Sequence, residues 1–357
     1  MWLSHPEMLT SLSDWLSHRL GRYNARAGEV FHERAAPRPA STRQDAMPDL
    51  KLIDCHVHCF PTGEAARDFM GRVVRRPEAD VCGTVEELHA AIGRSGVDHV
   101  NILMFTPTSI YVEDGMAAIP PDVRDRAAAE EAVRREAVCR VVGNNDWCAA
   151  FVKEHPNLSF FCGVDPVRMT EGEMLSGIER WMAAGAKGVK IVPATLRIFG
   201  DDERLLPLYD YCCRQGVPLL TQSAGNPAPG QDLAYAQPAA FGRVLPQFPD
   251  LRLIFAHMAY FPYLPDNGAD ELAELTSRYA NVSADLSLRL GAVADGAEPA
   301  EWLVSTIRRL GADRVLFGTN FPLADQARSV EAFRRLPLDD EERELIAHKN
   351  FERITGA

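Results

Sequence analysis

Leu50-Lys51-Leu52-Ile53-Asp54-Cys55-His56-Val57-His58 is the stretch that decides the reading of this chain. Its apolar start reads as a β-strand over residues 50–56. Side chains alternate across a strand, so those at i, i+2 and i+4 share one face. Asp54, His56 and His58 are therefore expected to project together, with Cys55 facing away. Two imidazoles side by side at a strand's end are a common grip for a divalent metal. Taken alone, His-x-His is a frequent pattern, and two surface histidines explain it as well.

Seven further strand candidates follow, at residues 97–104, 158–164, 186–192, 217–222, 251–257, 281–286 and 314–318. Most are short, apolar and without alternation, as strands covered on both faces should be. Helical stretches separate them. Thr84-Val85-Glu86-Glu87 is a capping box opening one helix, and residues 127–142 and 301–310 carry others. Eight strand–helix units over about 300 residues predict an α/β fold, the (β/α)8 TIM barrel. An open doubly wound sheet would call for a glycine-rich turn after the first strand, and none is present.

The chain before residue 50 reads differently. Leu9, Leu12, Trp15, Leu16 and Leu20 recur at helical spacing, and residues 35–48 are a proline-containing linker. The expected organisation is an N-terminal helical extension and linker at 1–49 and a barrel at 50–357. Trp2, Leu9 and Trp15 would give the extension a surface for pairing two copies in a homodimer.

Composition narrows the function. With 46% hydrophobic residues in 357, a large core is affordable, and no apolar run approaches the roughly 18 residues that span a bilayer. A net charge of −12 opposes binding to nucleic acid. The eight cysteines contain no Cys-x-x-Cys pair, so free buried thiols are expected. The N-terminus also lacks the basic and apolar pattern of a secretory leader. Together these point to the cytoplasm.

Barrels place their chemistry at the carboxyl ends of the strands. There the sequence puts His56 and His58 (first strand), Lys190 (fourth), Gln222 (fifth), His257 (sixth), Asp285 (seventh) and Asn320 (after the eighth). Scattered core histidines would not gather in this way. Arg72, in the long segment 59–83 that also carries Arg67, Arg75 and Arg76, is a candidate clamp for a substrate carboxylate. Arg197, past the fourth strand, is another, and a solvated basic face is the plain alternative for both. Asp285 is a further candidate for substrate contact. Phe105, Phe199 and Tyr260 follow strand ends and would wall an apolar or aromatic ligand.

From residue 50 onward the chain resembles the amidohydrolase superfamily, in its amidohydrolase-related branch of aminocarboxymuconate-semialdehyde decarboxylase-like proteins. The resemblance rests on the segments Ile53 to His58, Gly188-Val189-Lys190-Ile191, Phe248 to His257, Arg314 to Pro322, and Lys349 to Ile354. It implies a metal held by the histidine pair, by a fifth-strand histidine and by an eighth-strand aspartate that also handles the attacking water's proton. Here those last two places hold Gln222 and Asn320. The resemblance further implies, for binuclear relatives, a carboxylated fourth-strand lysine bridging two metals. An ordinary Lys190 ammonium binding an anion is the simpler reading.

These replacements weaken the implied site. Zinc is the first expectation for a metal at His56, His58 and Gln222, but an amide oxygen is a neutral donor better suited to hard cations. A metal-free site is the alternative. Asparagine accepts no proton at neutral pH, which makes His257 the first candidate base, with Asp54 and Asp285 behind it, and Lys190 and Asn320 complete the catalytic set. The expected function is a hydrolase acting on a small carboxylated molecule. Decarboxylation, or another lyase or isomerase reaction without water activation, is one alternative; a degenerate barrel serving as a binding or scaffolding subunit is the other.

Overall fold

Eight strands run parallel in one sheet, ordered β1 to β8 as in the sequence, in a computed structural model that describes residues 50–223, 233–261 and 265–356. They are β1 Ile53–Val57, β2 His99–Leu103, β3 Leu158–Gly163, β4 Ala186–Ile191, β5 Leu219–Thr221, β6 Leu253–Phe255, β7 Val282–Asp285 and β8 Val315–Leu316. The chain after β8 returns to β1. Cys55 N–H donates to the Phe317 carbonyl at 3.0 Å and Asn320 N–H to the His56 carbonyl at 2.8 Å, and Val57 bridges Phe321 in parallel. The expected TIM barrel is borne out, helices alternating with strands.

Each strand overlaps the segment read from the sequence but is shorter. β5 begins after Pro218, which has no N–H to donate to a ladder. The capping box opens helix Val85–Ser95 as expected, with the Thr84 side chain and Glu87 exchanging bonds. Residues 127–142 belong to a longer helix, Arg126–Lys153, started by the Asp125 side chain. The long segment 59–83 contains helix Gly63–Asp68, capped by Thr62 and running into a π-helical stretch, Phe69–Val74.

Two buried layers result. Ile53, Cys55, Leu103, Phe161, Leu220, Ile254, Ala256 and Leu316 form one cluster with Phe351 and Ile354 of the last helix. The larger cluster joins the opposite faces of the strands to the surrounding helices. No helix among the described residues is long and apolar enough to cross a membrane. The expected N-terminal extension, with the pairing surface read from it, lies outside the described residues.

Candidate active site

β1 departs from simple alternation at the place where alternation was used to read it. Asp54 pairs with Val100 and Val57 with Ile102, so three steps on β1 match two on β2. That extra residue is a β-bulge, which re-aims side chains and recurs beside functional sites. It corrects two expectations. Cys55 does not face away but joins the cluster of Ile53 and Leu220. Asp54 does not line up with the histidines. It receives Thr319 N–H (2.9 Å), Thr319 Oγ1 (2.5 Å), Gln326 Nε2 (2.9 Å) and His56 N–H (3.2 Å), tying β1 to the β8 turn. Full burial raises its pKa to about 6 despite these donors. Gly318 packs against the bulge; a Cβ there would lie 3.1 Å from the His56 Cβ and 3.3 Å from Cys55 Sγ.

His56 and His58 nonetheless meet, with ring centroids 5.3 Å apart, and His257 lies 4.9 Å from His56 on the same measure. His257 and the next two residues, Met258 and Ala259, all have left-handed backbone, at φ of 60, 55 and 49°. Non-glycine residues hold that region only under constraint, and such strain clusters at functional sites. Part of the constraint is visible: Asp285 Oδ1 accepts the His257 N–H at 2.9 Å.

Hydrogen bonding fixes the tautomers. Asp285 Oδ2 lies 2.8 Å from His56 Nδ1, so His56 carries its proton on Nδ1 and keeps a lone pair on Nε2. His58 Nδ1 donates to the Leu103 carbonyl at 3.1 Å, with the same result. Ser287, which no spacing in the sequence singles out, sits between the others. Its hydroxyl donates to Asp285 Oδ1 and lies 2.7 Å from His257 Nδ1 and 3.0 Å from His56 Nδ1. Its proton being given to the carboxylate, His257 must supply the hydrogen of their bond. Burial lowers the pKa of all three imidazoles, well below the ordinary value for His58 and His257. Asp285 stays ionised, held below the usual carboxylate range by His56 and by its hydrogen bonds against the burial penalty. His56, His257 and Asp285 are also close enough to share one ion, their ligand atoms within 4.8 Å. We read Asp285 instead as orienting His56, because both its oxygens already accept hydrogen bonds.

Lys190 is 2% exposed, and burial lowers its pKa to about 7, with Asp285 opposing. A cavity of about 10 Å³ adjoins it, lined also by Met104, Phe105, Val164, Val192 and Leu196, room for about one water. Asn320 sits at φ 68°, a conformation asparagine tolerates better than most residues. Its side chain lies beside His58. Its Oδ1 and the Oε1 of Gln222 are both buried without a partner.

The arginines read from the sequence lie elsewhere. Arg72 pairs with Asp68 at 3.3 Å and with Asp114; Arg197 pairs with Glu113. Both are partly solvated ion pairs, as a basic surface face would make. Phe199 is 42% exposed and packs on Tyr235, lining an open surface pocket with Asp201, Asp202, Glu203 and Arg204. Phe105 does belong to an aromatic group, through Phe69, which lies 5.6 Å from His58. Tyr260 lies under Arg289, 3.7 Å from ring to guanidinium, and Arg289 is a buried cation the sequence reading missed.

A family model described as amidohydrolase matches residues 53–355. The chain belongs to the amidohydrolase family. The family read from the motifs is therefore borne out, and with it an enzyme's fold and ancestry. No curated protein matches the chain. Among solved structures, an uncharacterized TIM-barrel protein of Bordetella bronchiseptica is similar at 22% identity, with 86% of this chain and 99% of that one covered and a TM-score of 0.58. The 5-carboxyvanillate decarboxylase of Sphingomonas paucimobilis is similar at 16%, 86% and 99%, with a TM-score of 0.60. A 5-carboxyvanillate decarboxylase of Novosphingobium aromaticivorans, complexed with manganese and 4-hydroxy-3-methoxy-5-nitrobenzoic acid, follows at 17%, 87% and 97%, with 0.59. At these identities the neighbours establish the shared barrel fold.

Proposed function

We propose that this amidohydrolase-family enzyme decarboxylates a small hydroxylated aromatic acid. One observation carries the reading: neither buried carboxylate of the site is free to activate water. Asp285 is engaged by His56, Ser287 and the His257 amide, and Asp54 by Thr319, Gln326 and the His56 amide. Asn320, at the place where the family resemblance implies an aspartate, takes up no proton. Hydrolysis would fall to His257 alone. Decarboxylation needs no attacking water; it needs a bound carboxylate, a sink for the electrons of the breaking bond, and a proton for the vacated carbon.

The chain's residues suit those needs. Lys190, with a pKa of about 7, is an acid poised to give a proton near neutrality. In the reaction the ring–carboxyl C–C bond breaks, its electron pair stays on the ring, CO2 departs, and the ring carbon takes a proton from Lys190. Phe69 and Phe105 offer an aromatic wall beside His58. That the two decarboxylases named above act on 5-carboxyvanillate, a carboxylated aromatic, supports the substrate class.

The donor set fits a divalent cation. His56 and His58 each keep an Nε2 lone pair, and Gln222 Oε1 and Asn320 Oδ1 are buried acceptors with nothing to accept. Two imidazoles and two neutral amide oxygens favour a harder ion such as manganese over zinc, and manganese is what the Novosphingobium neighbour holds. Such an ion would supply a Lewis acid for a phenol or carboxylate oxygen. Turning the Asn320 amide by half a turn exchanges its donor for its acceptor.

Purified protein incubated with Mn²⁺ and a panel of hydroxybenzoates in D2O should release CO2 and place one deuteron on the vacated ring carbon. Turnover of esters, lactones or amides, with no CO2 from any acid tried, would replace this reading by hydrolysis through His257.

A further inference from the structure

We propose that Arg289, released from Glu298, anchors a carboxylate of the ligand at the mouth of the barrel. The proposal rests on the decarboxylase reading for the ligand's class and adds the residue that selects it. A planar carboxylate is best held by a guanidinium beside the metal and Lys190, and the sequence-nominated arginines are committed to surface carboxylates. Arg343 is as buried and its Nε also lacks a partner, but both its Nη atoms donate to backbone carbonyls, those of Phe333, Arg334, Leu336 and Leu338, and no carboxylate among the described residues competes for it. Arg289 differs. It begins the short helix Arg289–Ala294, four residues after Asp285. Its guanidinium lies over the Tyr260 ring, and its charge reaches His257.

Arg289 is only partly satisfied. Nη1 donates to Glu298 Oε2 at 2.7 Å, with the two residues 8% and 9% exposed. Arg289 Nε and Glu298 Oε1 are buried with no partner at all. A purely structural buried pair is stable only when its remaining donors and acceptors are also satisfied. This pair leaves one of each open. A planar carboxylate would find a forked donor in Arg289, the geometry guanidinium groups favour. Glu298, whose pKa burial raises, is the competitor that such a ligand displaces.

The test follows from the opposite signs expected of the two partners. Binding of 4-hydroxy-3-nitrobenzoate and of 2-nitrophenol, the same ring without its carboxylate, is measured by absorbance on the full chain with Mn²⁺ present. Arg289→Met should weaken the benzoate by about 10- to 100-fold, the range of a lost charge-assisted pair, and leave the phenol unchanged. Glu298→Gln should tighten the benzoate several-fold. The double variant Arg289→Met/Glu298→Gln, which buries no unpaired charge, secures the comparison if the single arginine variant does not fold, and should show the same loss. Equal benzoate affinity with and without Arg289, or weaker benzoate binding in Glu298→Gln, would overturn the anchor while leaving the decarboxylase reading intact. A wild-type protein that binds neither compound would overturn both.

Discussion

Replacing Lys190 by methionine isolates the charge state of the site. The ammonium is buried, which lowers its folded pKa to about 7 from the ordinary lysine value of 10.5. Below pH 7 the lysine is charged in both folded and unfolded chains, so the full cost of burying the charge falls on the fold. Between 7 and 10.5 the unfolded chain binds more protons than the folded one, and wild-type stability rises with pH by about 1.4 kcal/mol per unit. Above 10.5 the contribution vanishes. Methionine has a similar length and no charge, so Lys190→Met removes this slope. The stability advantage of the variant over wild type should therefore shrink by about 3 kcal/mol between pH 6.5 and 9.5. Urea denaturation of both proteins under reducing conditions at four or five pH values measures it. An advantage that stays constant across the range would mean that Lys190 does not titrate near neutrality, and its role as proton donor would fall with it.

Two further outcomes follow from the same structure. Asp54→Asn should destabilise by about 2–3 kcal/mol at pH 7, because an amide NH2 would face donors from Thr319, Gln326 and His56 that now meet a carboxylate; an unchanged midpoint in urea would refute the clamp. Arg75→Gly should stabilise by about 1 kcal/mol, because Arg75 holds φ 64° at an exposed helix end where glycine carries no Cβ penalty, and a lowered thermal midpoint would contradict it.

Much of the fold was legible because parallel strands covered on both faces are written as short apolar runs, and all eight could be read. Their ends were not, since ladders stop at local features such as Pro218. The site was legible in its members and less so in its geometry. His56, His58 and His257 do meet, but through a bulge in β1 that a strict period of two cannot express. That same extra residue brought His56 round to the side of Ile53 and Cys55 and left Asp54 to Thr319. Ser287 carried no signal, because a serine two residues past an aspartate is ordinary until the fold brings His56 and His257 to it. Arg289 and Glu298 escaped for a related reason: nine residues of chain separate a pair that only tertiary packing makes. Arg72 and Arg197 drew attention as cations in an acidic chain, and each meets a carboxylate from a different segment, Asp114 and Glu113 of the helix Thr108–Ala118.

The central claim is that His56 and His58, with the buried amide oxygens of Gln222 and Asn320, form a seat for one divalent ion. Titration with Mn²⁺ followed by electron paramagnetic resonance tests it directly. About one ion per chain should bind, and His56→Ala and His58→Ala should each abolish that binding while Arg72→Ala leaves it intact. Stoichiometric Mn²⁺ binding that survives both histidine substitutions, or none at millimolar metal in wild type, would contradict the account.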